Sequence, residues 1–261
     1  MSEEAWDKLH DDLNGLFVGP LAHLRGRIMH VGSIAEPTYS VDEILTEHHL
    51  DRMAEAFRRA HGETPRAAIY SIWSKWYFSF VLPPLLCSAI LLDRLPPFRL
   101  SDIRLKLAPD YKIEQVAISQ ATALPVSSVG GRFKPLIEGN IAPFIEFWHS
   151  RTRVSRRVLW SNAGTLIEGV LRHLQKEGFS APGLGEGFAL MDARMFDDGA
   201  KNHLFSPVTY LKIDGERVRR RRVCCLRYLL PDGVLCCACP LHETERRRAA
   251  SVSEPAQGQR Q

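Results

Sequence analysis

Apolar residues recur at helical spacing from the start of the chain. Leu9, Leu13, Leu16 and Phe17 predict a helix over Glu3–Leu24, and a second over Val41–Arg59 is introduced by Ser40 as a plausible N-cap. Ala67–Leu92 is apolar almost throughout and long enough to cross a bilayer. Lys75 and four serines interrupt it and Pro83–Pro84 breaks it, so the expectation is two buried helical pieces meeting at the proline pair. Pro96–Ile118 reads as extended: Ile103, Leu105 and Leu107 alternate with Arg104, Lys106 and Ala108, the pattern of a strand packed on one face. Phe133–Trp148 reads as helix broken by Pro135 and Pro143, and Arg151–Lys176 as an amphipathic helix or helix pair ending at Gly178. Gly183–Gly187 reads as a linker, without the lysine and strand–helix context of a phosphate loop. Val208–Ile213 is a predicted strand, and Asp214-Gly215 is a turn signal. The fold class is therefore α+β: a helix-dominated main domain over residues 1–205, a small β-hairpin module carrying a cysteine cluster over 206–245, and a disordered tail over 246–261.

The strongest chemical signal lies in that module. Cys224, Cys225, Cys236 and Cys239 follow the spacing C-C-x10-C-x2-C. Four thiolates suffice for a [2Fe–2S] cluster, each iron taking two, and such a cluster accepts and donates one electron. Leu226–Leu230 is strand-like, Pro231-Asp232-Gly233 is a turn signal, and Val234-Leu235 begins a return strand, which sets Cys225 opposite Cys239. Neighbouring residues on a regular strand face opposite ways, so the Cys224-Cys225 doublet can serve one site only where the backbone is bulged or turning. A structural zinc site is the main competitor, with His242 as a substitute ligand, although zinc sites commonly use two spaced knuckles and one C-x2-C is present. Disulfides are disfavoured because no secretory signal precedes the chain, whose first residues are acidic and polar. Cys87 sits in an apolar run and is expected in the core, and Cys237 is expected to be a spare thiol able to replace a ligand.

These cysteines resemble those that end the ferric siderophore reductases of the FhuF type, which they match one for one. The run Ser74-Lys-Trp-Tyr-Phe-Ser79 with Leu82-Pro-Pro-Leu85, and Trp160-Ser-Asn-Ala163, are also similar to that family, so the likeness extends over residues 60–242. Cys237 is a departure, at a position where the family often has a small residue. The resemblance implies a [2Fe–2S] cofactor on Cys224, Cys225, Cys236 and Cys239, a siderophore-binding helical part, and one-electron reduction of siderophore-held Fe(III), with no catalytic residue beyond the cluster. The alternatives are a non-enzymatic iron–sulfur carrier or redox sensor.

Composition fits this placement. With 261 residues, 45% hydrophobic and 25% charged, the chain is that of an ordinary globular protein, and a net charge of +4 does not call for nucleic acid. Arg217, Arg219–Arg222 and Arg227 surround the cysteines. They read either as a solvated strand face, or as positive charge favouring the reduced cluster, or as a docking site for an acidic electron donor. No nicotinamide or flavin fingerprint is present, so electrons are expected one at a time from an external donor such as a ferredoxin or reductase. The expected substrate is a ferric siderophore, preferably of the hydroxamate type. The expected location is cytoplasmic, with at most peripheral contact at the inner membrane face. Trp73, Trp76, Tyr77, Trp148 and Trp160 are candidates to line its pocket, with a core role as the competing reading, and Arg151, Arg153, Arg156 and Arg157 are candidates to hold an anionic chelate, with an exposed helix surface as the competing reading.

Overall fold

The computed structural model describes residues 3–119, 122–126 and 131–242, so the expected tail lies outside the described residues. Helix α1 (Glu3–Leu16) buries Leu9 and Leu13, and the chain continues as a 3-10 turn over Gly19–Leu24, seating Leu21 and Leu24 in the core. Strands β1 (Ile28–His30) and β2 (Thr38–Tyr39) follow. The predicted helix over Val41–Arg59 is divided. Ser40 and Glu43 form a capping box at α2 (Val41–Ile44), and Thr46 caps a fresh start at α3 (Glu47–His61).

Helix α4 (Arg66–Leu91) is the axis of the molecule. Two helical pieces were expected; one continuous helix runs through Pro83 and Pro84. Pro83 has no N–H to offer the carbonyl of Ser79 one turn back, and Arg27 Nη1 donates to that oxygen instead, at 2.9 Å. By length and composition alone α4 could cross a membrane, but 72% of its most apolar window is buried inside the protein. Trp73, Tyr77 and Trp148 are fully buried and stacked, with ring centroids 4.6 Å apart for Trp73 and Trp148 and 3.8 Å for Tyr77 and Phe144. These three candidate pocket residues are therefore core.

Strand β3 (Arg94–Leu95) pairs with β6 (Leu124–Pro125). Between them, the alternating segment forms β4 (Ile103–Leu107) and β5 (Ile113–Ile118), an antiparallel pair in a four-stranded sheet of order β1-β5-β4-β2, with β1 parallel to β5. The region with Pro135 and Pro143 is a short α5 (Lys134–Leu136), a π-helical turn over Ile137–Ile141, and α6 (Ala142–Thr152). Helix α7 (Arg156–Lys176) packs along α4.

The expected glycine linker is instead the first half of α8 (Pro182–Asp192). Two of its glycines are packing residues: a Cβ on Gly183 would stand 2.9 Å from the Ile90 backbone, and one on Gly187 would stand 2.4 Å from Leu171. Small residues win here because α8 approaches α4 and α7 too closely for side chains. The C-terminal hairpin is β7 (Val208–Ile213) and β8 (Glu216–Arg221), paired in register from Val208 opposite Arg221 to Ile213 opposite Glu216.

Candidate functional site

The arginine run is itself strand β8, and the cysteine segment follows it as a coiled loop. The strand-like reading of Leu226–Leu230 is corrected: Leu226 adopts a left-handed conformation (φ 64°) and Arg227–Leu229 is a 3-10 turn. A tight turn therefore replaces the counted-out hairpin, and it meets the demand set by the cysteine doublet. The loop closes on β8 through Arg221 N to Ala238 O at 2.7 Å, and the C-x2-C curls with Cys239 N donating to Cys236 O at 2.8 Å.

Six free thiols are present; Cys225 and Cys239 are buried, Cys224 and Cys236 half-buried, and Cys237 exposed. Cys225 Sγ lies 3.8 Å from Cys236 Sγ, not opposite Cys239 as the strand count had it. Burial pushes the Cys224 thiol up, and the nearby Cys239 and Cys225 add to this. The loop thus brings Cys225 and Cys236 together, with Cys224 and Cys239 beside them. Two thiolates bound at about 2.3 Å to one tetrahedral metal stand about 3.8 Å apart, so the Cys225–Cys236 spacing fits a shared metal. Among the described residues, no set of three or more His, Cys, Asp and Glu side chains is grouped for a single ion. Four thiols gathered in one loop suit a two-iron centre, in which each iron takes two cysteines, and equally a four-thiolate zinc. His242 Nε2 is within 3.1 Å of the Cys236 carbonyl oxygen, a local backbone contact. Cys87 is buried in α4, and desolvation pushes its thiol up to about 12.

The loop is anchored on α4 and α7 by small polar residues. Ser71 Oγ donates to Cys225 O at 2.9 Å. Asn162 Nδ2 donates to Ser71 O at 3.1 Å and to Ser74 Oγ at 2.9 Å, while its Oδ1 accepts from Arg221 Nη2. Lys75 Nζ stands 3.7 Å from Cys225 Sγ. The contact with Cys236 holds the Cys225 thiol well below its usual range, with Lys75 and Arg221 adding to this, while the same contact pushes Cys236 up. Burial lowers Arg221, and Cys225, Cys236 and Cys224 pull it back.

The other arginines divide. Arg219 binds Glu168 at 2.7 Å, Arg227 binds Asp232 at 2.9 Å, Arg220 donates to Cys237 O at 3.2 Å, and Arg217 lies over the Tyr210 ring. Beside the loop, between α4, α7 and the Gly19–Leu24 turn, opens a cavity of ≈ 550 Å³. Of the aromatic candidates only Trp76 lines it, and Trp160 stacks on His203 elsewhere. Arg156 is committed to Glu146 at 2.6 Å, and none of Arg151, Arg153, Arg156 and Arg157 reaches this cavity. Sequence reasoning did not assign Ser71, Asn162 or Lys75 to the site. Their signal was polar residues interrupting apolar helical runs.

A family model described as "Ferric iron reductase FhuF-like transporter" matches residues 71–218, and one described as "FhuF 2Fe-2S C-terminal domain" matches residues 221–241. The chain belongs to the FhuF family. The family's C-terminal domain covers the paired-thiol loop, so the cofactor is a [2Fe–2S] cluster. The chain is also similar to a "Ferric siderophore reductase" of Escherichia coli (strain K12), at 24% identity over 175 residues, covering 66% of this chain and 65% of that relative. The alignment thus spans slightly less than two thirds of the relative's length.

Proposed function

We propose that the protein is a ferric siderophore reductase. Cys224, Cys225, Cys236 and Cys239 would hold its [2Fe–2S] cluster, with Cys225 and Cys236 on one iron and Cys224 and Cys239 on the other. The observation that carries this reading is the Cys225–Cys236 pair, 3.8 Å apart beside Lys75, in the loop that the family's 2Fe-2S domain covers. When bound, such a cluster supplies one electron at a time.

The surrounding residues prepare the site for that task. Lys75 and Arg221 place positive charge beside the thiols, which favours the more negative, reduced state. Ser71 and Asn162 fix the loop against α4 and α7, so little of the site need rearrange when its charge changes. The net reaction takes one electron from an external one-electron donor, such as a ferredoxin or reductase, and converts chelated Fe(III) to Fe(II). Hard oxygen donors hold the ferric ion far more tightly, so reduction loosens the iron. Hydroxamate-containing chelates are the proposed first substrates, because their iron potentials are generally less negative than those of tris-catecholates. We place the activity in the cytoplasm, where a released ferrous ion is used, with at most peripheral contact at the membrane face. The helical part, residues 1–205, would contribute most of the chelate site, and residues 206–245 the cluster site.

The test is anaerobic incubation of the chemically reduced protein with a ferric hydroxamate and a ferrous trap. Ferrous iron should form at rates well above those with buffer-treated chelate. Failure to form it, with transfer of the intact cluster to an apo-ferredoxin, would support a cluster carrier instead.

A further inference from the structure

Resting on the reductase reading, we propose that the cavity beside Lys75 and Arg221 seats the ferric chelate, and that it selects chelates of net negative charge, such as hydroxamates bearing free carboxylates. Its ≈ 550 Å³ lies within the range of about 300–1,000 Å³ typical of pockets for drug-sized ligands. Lys75 lines the cavity and touches Cys225, so one side chain separates the bound ligand from a thiol.

The unpartnered polar atoms point to an occupant. Among the described residues, the buried side-chain nitrogens and oxygens without a hydrogen-bond partner are Thr165 Oγ1, His173 Nε2 and Arg221 Nε. All three residues line this one cavity. Buried polar groups are nearly always paired, so three orphans meeting in one place mark where a polar ligand completes the set.

Charge decides the class of ligand. The lining includes five Lys or Arg residues and no Asp or Glu. Arg219 and Arg227 are answered by Glu168 and Asp232, and Lys75 and Arg221 face the thiols. Arg27 is left over. It is half-buried, donates to the carbonyls of His23 and Ser79, and lies 4.8 Å over the Phe80 ring, with no carboxylate among its contacts with described residues. A cation shielded from water without a counter-ion is costly, and an anionic ligand supplies one.

Gallium(III) chelates separate binding from reduction, because gallium accepts no electron. Calorimetry on the oxidised, cluster-loaded protein would compare an anionic gallium complex of a citrate-based dihydroxamate with a cationic complex of a linear trihydroxamate amine. The anionic complex should bind more tightly, with an advantage that shrinks as salt rises. Arg27→Gln should weaken it by about tenfold or more, Thr165→Val by severalfold, and Arg27→Lys should restore most of the affinity. An unchanged visible spectrum certifies that each variant is folded and loaded. Equal binding of the two complexes, no binding of either, or indifference to Arg27→Gln would overturn the proposal. Tight, Arg27-dependent binding of the anionic complex without reduction of its ferric counterpart would uphold the cavity and refute the reductase reading. Reduction that is blind to Arg27 and Thr165 would do the reverse.

Discussion

Replacing Asn162 by Leu tests whether the buried polar relay holds the cysteine loop in place. The side chain is 3% exposed and its roles are unambiguous, since only the amide oxygen can accept from the Arg221 guanidinium. Leu keeps a similar volume and removes every bond. The two bonds donated to Ser71 and Ser74 contribute about 1 kcal/mol each, and the charge-assisted bond about 1.5–3 kcal/mol. The sum is about 3–5 kcal/mol. At about 2–4 °C per kcal/mol for a chain near this size, the melting temperature of the anaerobic loaded protein should fall by about 6–20 °C. Much of that penalty is a stranded guanidinium, so Asn162→Leu should cost about 1.5–3 kcal/mol less in an Arg221→Met background. Differential scanning calorimetry of the wild type, both single variants and the double variant measures this coupling. A fall below about 2 °C, or the same fall in both backgrounds, would refute the relay.

Three further outcomes follow from the site. Serine at Cys224, Cys225, Cys236 or Cys239 should abolish or severely deplete bound iron and acid-labile sulfide, while Cys87→Ser and Cys237→Ser should retain both, because Cys87 is buried in α4 and Cys237 is exposed. Lys75→Met removes a cation 3.7 Å from Cys225 Sγ, so the midpoint potential should become more negative by on the order of tens of mV in a redox titration; an unchanged or raised potential would count against the electrostatic role. Gly187→Ala drives a methyl to 2.4 Å from Leu171 and should destabilise the fold by about 1–3 kcal/mol in thermal unfolding, and a neutral result would show that α8 can move away.

Much of the architecture was legible from periodicity. The alternation at Ile103, Leu105 and Leu107 became β4, Ser40 became a cap, and Val208–Ile213 became β7. The misreadings share a cause: local signals were overridden by tertiary contacts. Pro83 frees the Ser79 carbonyl inside the helix, and Arg27, 52 positions from Ser79, supplies a donor to it. Gly183 and Gly187 signal flexibility locally but serve close helix packing here. The clustering of the cysteines was readable from spacing, whereas the path of the chain between them was not, because Leu226 turns the chain in a conformation that an apolar residue seldom adopts. The cavity was invisible for the same reason: its walls come from the Gly19–Leu24 turn, α4, α7 and β8, which no short stretch of sequence contains.

The most direct test of the reductase reading is single-turnover stopped flow under strict anaerobiosis. Fully reduced protein is mixed with excess ferric hydroxamate and a ferrous trap, and cluster bleaching recovery and trapped Fe(II) are recorded together. The two signals should rise together, saturate with chelate concentration, and yield one Fe(II) per cluster reoxidised. Reoxidation no faster than in buffer, across hydroxamate, catecholate and citrate-type chelates, would contradict the assignment.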